Sequence, residues 1–150
     1  MYKTIKTTSD LKKLKNIASD LANDAKKGDL FFLKGELGSG KTTFIRLFIN
    51  FFLIKNFIEP PKFIKSPTFP IMVSYPLKTF EILHYDLYRL NEKKELLELN
   101  IFENISNNIT LVEWPEILIK NFKLKNYFLI NLRILDDTIR EIEIKKIDQN

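Results

Sequence analysis

The amino-acid sequence predicts an α/β fold, on three observations. Leu30-Phe31-Phe32-Leu33, a glycine-rich loop and the run Thr43–Ile54 read as strand, loop and helix in immediate succession. Apolar strand-like stretches at Phe69–Tyr75, Phe80–Tyr88 and Ile109–Glu113 then alternate with short helical segments. The end of the chain reads as a β-hairpin, Tyr127–Leu135 and Ile139–Ile147, turning at Asp136-Asp137-Thr138.

The loop is the decisive segment. Gly35-Glu36-Leu37-Gly38-Ser39-Gly40-Lys41-Thr42 matches the phosphate-binding pattern G-x-x-x-x-G-K-[ST] at every fixed position. The 150 residues include only 4 glycines, and three lie here. Glycine is needed where main-chain N–H groups approach a phosphate closely. The helix that follows offers oriented N–H groups and a partial positive charge. Lys41 is expected to reach the β- and γ-phosphates, and the Thr42 hydroxyl to ligate Mg²⁺.

Composition bounds the rest. At 45% hydrophobic, 150 residues suffice for one globular domain, 1–150, with a substantial core. There is no cysteine, which excludes disulfides and thiolate metal sites and suits a reducing compartment. The N-terminal residues are polar and carry no apolar signal, and the run 44–54 is too short to span a bilayer. A cytoplasmic protein without membrane contact is expected. The net charge of +5 comes from scattered lysines, the pattern of a solvated surface in a Lys-, Ile-, Asn- and Phe-rich chain, not of a nucleic-acid-binding block.

Taken in order, residues 2–7 suggest a short edge strand. Ser9 suits a helix N-cap with Asp10 in the first turn. Leu11, Leu14, Ala18, Leu21, Ala22 and Ala25 recur at helical spacing up to Gly28. After the phosphate loop and its helix, Asn56–Pro67 carries Pro60, Pro61 and Pro67 and reads as a long loop of functional kind. Lys65-Ser66-Pro67-Thr68-Phe69 stands where a segment that touches the γ-phosphate often lies, and reads equally as a turn into the strand Phe69–Tyr75. In Phe80–Tyr88 the sole histidine, His84, shares a strand face with Asp86, so the pair is a candidate functional group. Asn91 is expected to cap a short charged helix through Leu99. Ile109–Glu113 ends in a carboxylate, placed to hold Mg²⁺ and orient water if the strand neighbours the phosphate-loop strand. Trp114, the sole tryptophan, and Pro115 follow, the proline suiting a helix start.

Gly35–Thr43 (GELGSGKTT), Ser66–Phe69 (SPTF), His84–Arg89 (HYDLYR) and Leu111–Pro115 (LVEWP), in this order and spacing, resemble the TsaE family, also called YjeE. The resemblance runs from about Ser9 to Arg140. It implies a three-layer P-loop NTPase fold with a mostly parallel central sheet. It implies ATP binding and hydrolysis with Mg²⁺ in tRNA threonylcarbamoyladenosine biosynthesis. The partners it implies are TsaD with TsaB, whose complex modifies the adenosine 3′ of the anticodon; the ATPase resets that complex and meets tRNA only indirectly. Carried over by position, Leu37, Gly38, Ser39, Gly40, Lys41, Thr42 and Thr43 match the phosphate site, with Thr42 and Glu113 at the metal. Asp86 matches a carboxylate that positions metal or water. Asp10, Glu116 and Arg140 match positions that touch the nucleotide. The chain departs from the family's pattern at Ile139, where glycine is usual, so the hairpin register is open at this point.

Other activities share such a loop. A small-molecule or nucleotide kinase needs an acceptor site and usually an arginine-bearing lid. Here the arginines are Arg46, Arg89, Arg133 and Arg140, and no lid insertion is evident. No N-K-x-D motif is present to read guanine. A non-hydrolysing, ATP-sensing subunit fits the same motifs.

Overall fold

The computed structural model describes residues 5–149. Its seven strands are β1 (Ile5–Ser9), β2 (Leu30–Lys34), β3 (Met72–Pro76), β4 (Glu81–Asp86), β5 (Ile109–Glu113), β6 (Asn126–Ile134) and β7 (Arg140–Asp148). They form one sheet in the order β1-β7-β6-β2-β5-β4-β3. The four central strands, β6-β2-β5-β4, run parallel, and the outer pairs β1·β7, β6·β7 and β3·β4 run antiparallel. The expected parallel centre and C-terminal hairpin are both present.

Helices cover both faces, which makes three layers. On one side lie α1 (Leu11–Asp24) and α2 (Lys41–Lys55). Their buried residues, among them Leu14, Ala18, Phe44, Phe48 and Ile49, pack with Phe31, Leu33, Ile82, Leu111 and Ile130 of the sheet. On the other side, Leu96 of α3 (Lys93–Glu98), Ile101 of α4 (Ile101–Ile105) and Leu118 of α5 (Glu116–Asn121) pack with Leu30, Phe32, Leu83, Tyr85 and Val112. A strand buried on both faces has no solvent side to alternate with, which is why β2 reads as an unbroken apolar run and β5 as one interrupted by the buried Thr110 before it ends in Glu113. Burying a phenylalanine such as Phe48 contributes about 1.5–3 kcal/mol.

Several boundaries differ from expectation. Part of the expected first strand, residues 2–4, lies outside the described residues. β1 extends through Ser9, which pairs with Arg140, so Ser9 is a strand residue and not the helix cap. Asp10 is the N-cap, its carboxylate accepting from the Lys13 N–H at 2.8 Å. α1 stops at Asp24, before Gly28, which takes a turn with φ 96°. The strand expected from Phe69 begins only at Met72, since Pro70 has no N–H for a ladder and Ile71 has φ 68°. Glu92, not Asn91, caps α3, and its N–H is held by the Glu95 carboxylate at 3.0 Å. Among the described residues no helix is long and apolar enough to cross a membrane.

Candidate functional site

The sheet brings the sequence motifs to one end. β4 and β5 pair in parallel with Asp86 opposite Glu113, and β5 lies beside β2, whose end leads into the glycine-rich loop. Asp86 follows Ile82 and His84 on one face of β4; Glu113 follows Ile109 and Leu111 on the same face of β5. That face looks onto α2, which starts at Lys41 and Thr42. Two carboxylates therefore meet the N-terminus of the phosphate-loop helix. The loop's turns require glycine: Gly38 has φ 78° and Gly40 φ 107°. A Cβ on either would meet nothing within 4 Å, so the loop faces open space.

The contacts are specific. Thr42 Oγ1 donates to Glu113 Oε1 at 2.7 Å. His84 Nε2 lies 2.9 Å from Glu113 Oε2. The Ser66 hydroxyl lies between Asp86 Oδ2 and Glu113 Oε2, at 2.9 Å from the latter. Asp86 Oδ1 accepts from the Tyr88 N–H at 3.0 Å. Lys41 Nζ donates to the carbonyls of Gly35 (2.6 Å) and Glu36 (3.0 Å) and stands 4.2 Å over the centre of the Trp114 ring. Trp114 has φ 56°, a left-handed turn that is strained for a non-glycine residue, and its ring leans on Tyr88.

Burial, the largest influence, pushes the Glu113 carboxyl up, but hydrogen bonding to His84, Thr42 and Ser66 outweighs it and holds the group below the ordinary carboxylate value. Burial pulls the Lys41 ammonium below the ordinary lysine value, against the charges of Glu113, Asp86, Glu116 and Glu36.

Two clefts adjoin the loop. One, of about 370 Å³, is lined by Gly38, Lys41, Thr42, Ser66, Asp86 and Glu113 among others. The second, of about 480 Å³, lies between Ser39, Gly40 and Thr43 on one side and Asp10, Thr138 and Arg140 on the other. Arg140 ties the hairpin to the loop: Nε donates to Ser39 O (3.1 Å) and Nη2 to Gly38 O (3.2 Å). The register left open by Ile139 is thus fixed, with Arg140 opposite Ser9 and Ile134. Leu37 sits on the loop crest, 67% exposed. Glu116 is exposed at the start of α5 and lines neither cleft, acting on Lys41 only through its charge. Sequence reasoning did not find Ser9, Asp137 and Thr138 beside the second cleft. No motif marks them; only the pairing of β1 with β7 brings them there.

Among the described residues, no three of His, Cys, Asp and Glu are grouped as a metal cage. The donors that do gather are hard oxygens, from Thr42, Asp86 and Glu113. Mg²⁺ typically takes one or two carboxylates and fills its shell with phosphate oxygens and water, so this set fits it. Ser66 gives a second sign of fit. Its hydroxyl bridges Asp86 Oδ2 and Glu113 Oε2, so two acidic groups stand within reach of one small cation.

The family of threonylcarbamoyl adenosine biosynthesis protein TsaE matches residues 8–143. The chain belongs to the TsaE family. It is 39% identical over 140 residues to the tRNA threonylcarbamoyladenosine biosynthesis protein TsaE of Rickettsia typhi, covering 93% of each chain. It is 33% identical over 128 residues to the Bacillus subtilis protein of that name, covering 85% of this chain and 76% of that one. The crystal structure of Bacillus subtilis YdiB superposes with a TM-score of 0.69 at 26% identity, over 98% of this chain and 87% of the other. The sheet order and phosphate loop described above are therefore a P-loop NTPase fold of TsaE type, in a family of tRNA threonylcarbamoyladenosine biosynthesis.

Proposed function

We propose that this chain acts as one Mg²⁺-dependent ATPase domain, cytoplasmic, serving threonylcarbamoyl modification of tRNA. The observation that carries the reading is the 2.7 Å bond between Thr42 Oγ1 and Glu113 Oε1, with Asp86 paired beside Glu113. It joins the helix that receives phosphates to the strand end that supplies acid.

In this reading the amides of 37–43 wrap the β- and γ-phosphates. Lys41 leaves the carbonyls of Gly35 and Glu36 to neutralise the phosphate charge. Thr42 and Glu113 hold Mg²⁺, which when bound withdraws charge from the phosphate oxygens. Asp86 would position the metal or the attacking water, its Oδ1 held by the Tyr88 N–H. Asp10, Arg140 and Glu116 belong to the nucleotide's surroundings, the first two by the cleft they share. The partners are TsaD and TsaB, with tRNA met indirectly, and the ATP cycle resets their complex.

The test is ATP turnover with Mg²⁺, alone and with TsaD and TsaB. Weak turnover alone, raised by the partners, is expected. Lys41→Ala should lower turnover roughly a hundredfold or more. A Lys41→Ala protein that hydrolysed ATP like the parent would overturn the assignment of the loop. ATP binding with no turnover under any condition would favour a sensing subunit.

A further inference from the structure

His84 has no role in the reading above. It is the sole histidine, 0% exposed, on the central strand β4 among apolar neighbours. Burying an imidazole is costly unless its polar atoms are used. Among the described residues only one is: Nε2 meets Glu113 Oε2 at 2.9 Å, while Nδ1 has no hydrogen-bond partner there. A packing residue at this place would be better apolar. An ionised carboxylate is acceptor-only, so Nε2 carries the proton and donates.

The hydrogen count around Glu113 gives that donation a purpose. Oε1 receives the Thr42 hydroxyl. Oε2 is approached by His84 and by Ser66, yet the Ser66 proton is also claimed by Asp86 Oδ2. With His84 donating, Oε2 is satisfied and the Ser66 proton can serve Asp86. Without it, both carboxylates compete for one proton, and the Glu113 carboxylate loses the contact that sets its rotation.

Building on the Mg²⁺·ATP reading, we propose that His84 is a positioning residue that fixes the Glu113 carboxylate through Nε2–H···Oε2, so that Oε1 faces Thr42 and the carboxylate keeps the orientation in which it would hold a divalent cation. It touches neither nucleotide nor metal. Partners of this kind, behind a metal ligand, typically carry about 10–100-fold in metal affinity.

Two substitutions separate donation from shape. The Gln amide nitrogen in His84→Gln falls near the Nε2 position and can donate to Oε2. The Asn amide in His84→Asn is one carbon shorter and falls nearer Nδ1. The protein is titrated with Mg²⁺ at saturating ATP, following Trp114 fluorescence and the Mg²⁺-dependent rise in Tm. ATP binding is also measured in chelator. His84→Asn should raise the half-saturating Mg²⁺ concentration about 10–100-fold, His84→Gln should stay near the parent, and chelator-insensitive ATP binding should be unchanged in both. Equal impairment of both variants would make His84 a matter of shape and overturn the proposal. So would a His84→Asn protein with the parental Mg²⁺ response. If the parent itself, with ATP bound, ignored Mg²⁺, the metal reading would fail and this proposal with it.

Discussion

The Lys41 ammonium stands 4.2 Å above the ring of Trp114 while donating to the carbonyl of Gly35 at 2.6 Å. Both contacts compensate a charge that burial disfavours. A cation over an indole contributes on the order of 0.5–2 kcal/mol. Lys41 thus has a resting place inside the protein, which it must leave in order to meet a phosphate.

Nucleotide binding should therefore be visible at Trp114. It is the sole tryptophan, so emission reports this ring alone. ATP with Mg²⁺ is expected to draw Lys41 off the ring and change the intensity or wavelength of emission. In Lys41→Met the starting spectrum should already be shifted, and the nucleotide-dependent change should shrink. An unchanged spectrum at saturating ATP would contradict this geometry.

Glu113→Gln should separate binding from turnover and leave a pH signature. The amide keeps the size of the side chain but not the charge proposed to hold the metal, so turnover should fall by roughly a hundredfold while ATP still binds. In protein free of metal and nucleotide, the parent carboxyl lies below its ordinary value of 4.5. A depressed carboxyl contributes stability that is complete above 4.5 and is lost as pH falls through the lowered value. The parent should melt above the variant near neutrality, and the gap should close in acid. A gap that widened in acid would mean that the carboxylate is destabilised in the fold.

Arg140→Ala should loosen the phosphate loop from the hairpin. Arg140 is the link between β7 and the carbonyls of Gly38 and Ser39, two of the loop residues. Hydrogen bonds from a charged donor contribute about 1.5–3 kcal/mol in favourable cases, less at an exposed site. Faster amide hydrogen exchange across 36–40 and weaker ATP binding are expected, with the sheet's own exchange unchanged. Parental exchange in the loop would show that its glycines alone hold its shape.

Much of this site is legible in the chain because it is local. The phosphate loop, the strand before it and the helix after it are contiguous, and a glycine pattern reports their geometry directly. Glu113 is legible because it ends a strand with a readable pattern, and Asp86 because it shares a strand face with His84 within the H-x-D-L-Y-R segment. What stayed hidden depends on register. That His84 meets Glu113, 29 residues away, and that Ser66 reaches both carboxylates follow from the pairing of β4 with β5 and the path of a proline-set loop. Arg140 was ambiguous for the same reason: a hairpin can slip by one residue at the sequence level, and only its pairing with both Ser9 and Ile134 fixes it. Serine favours the cap position, which is why the sequence points to Ser9 there, but β1 claims it for the ladder.

Gly35 and Gly38 should fail in different ways when replaced by alanine. At Gly35 a Cβ would press on Ser39 Oγ and come within 2.6 Å of the carbonyl oxygen of Leu132, a backbone atom of β6. Backbone cannot swing aside as a side-chain tip can, so Gly35→Ala should force the loop off the sheet at a cost of about 1–3 kcal/mol. In a chain of this size that lowers Tm by roughly 2–4 °C per kcal/mol. At Gly38 the Cβ meets nothing within 4 Å, and the cost is that of a left-handed residue at φ 78°, about 1–2 kcal/mol. The methyl of Gly38→Ala would instead project into the open cleft that the phosphates are proposed to fill. Gly35→Ala is therefore expected to show its main loss in thermal melting, and Gly38→Ala its main loss in ATP affinity. Equal losses of both kinds in the two variants would mean that the loop's shape and its occupancy by phosphate are not separable.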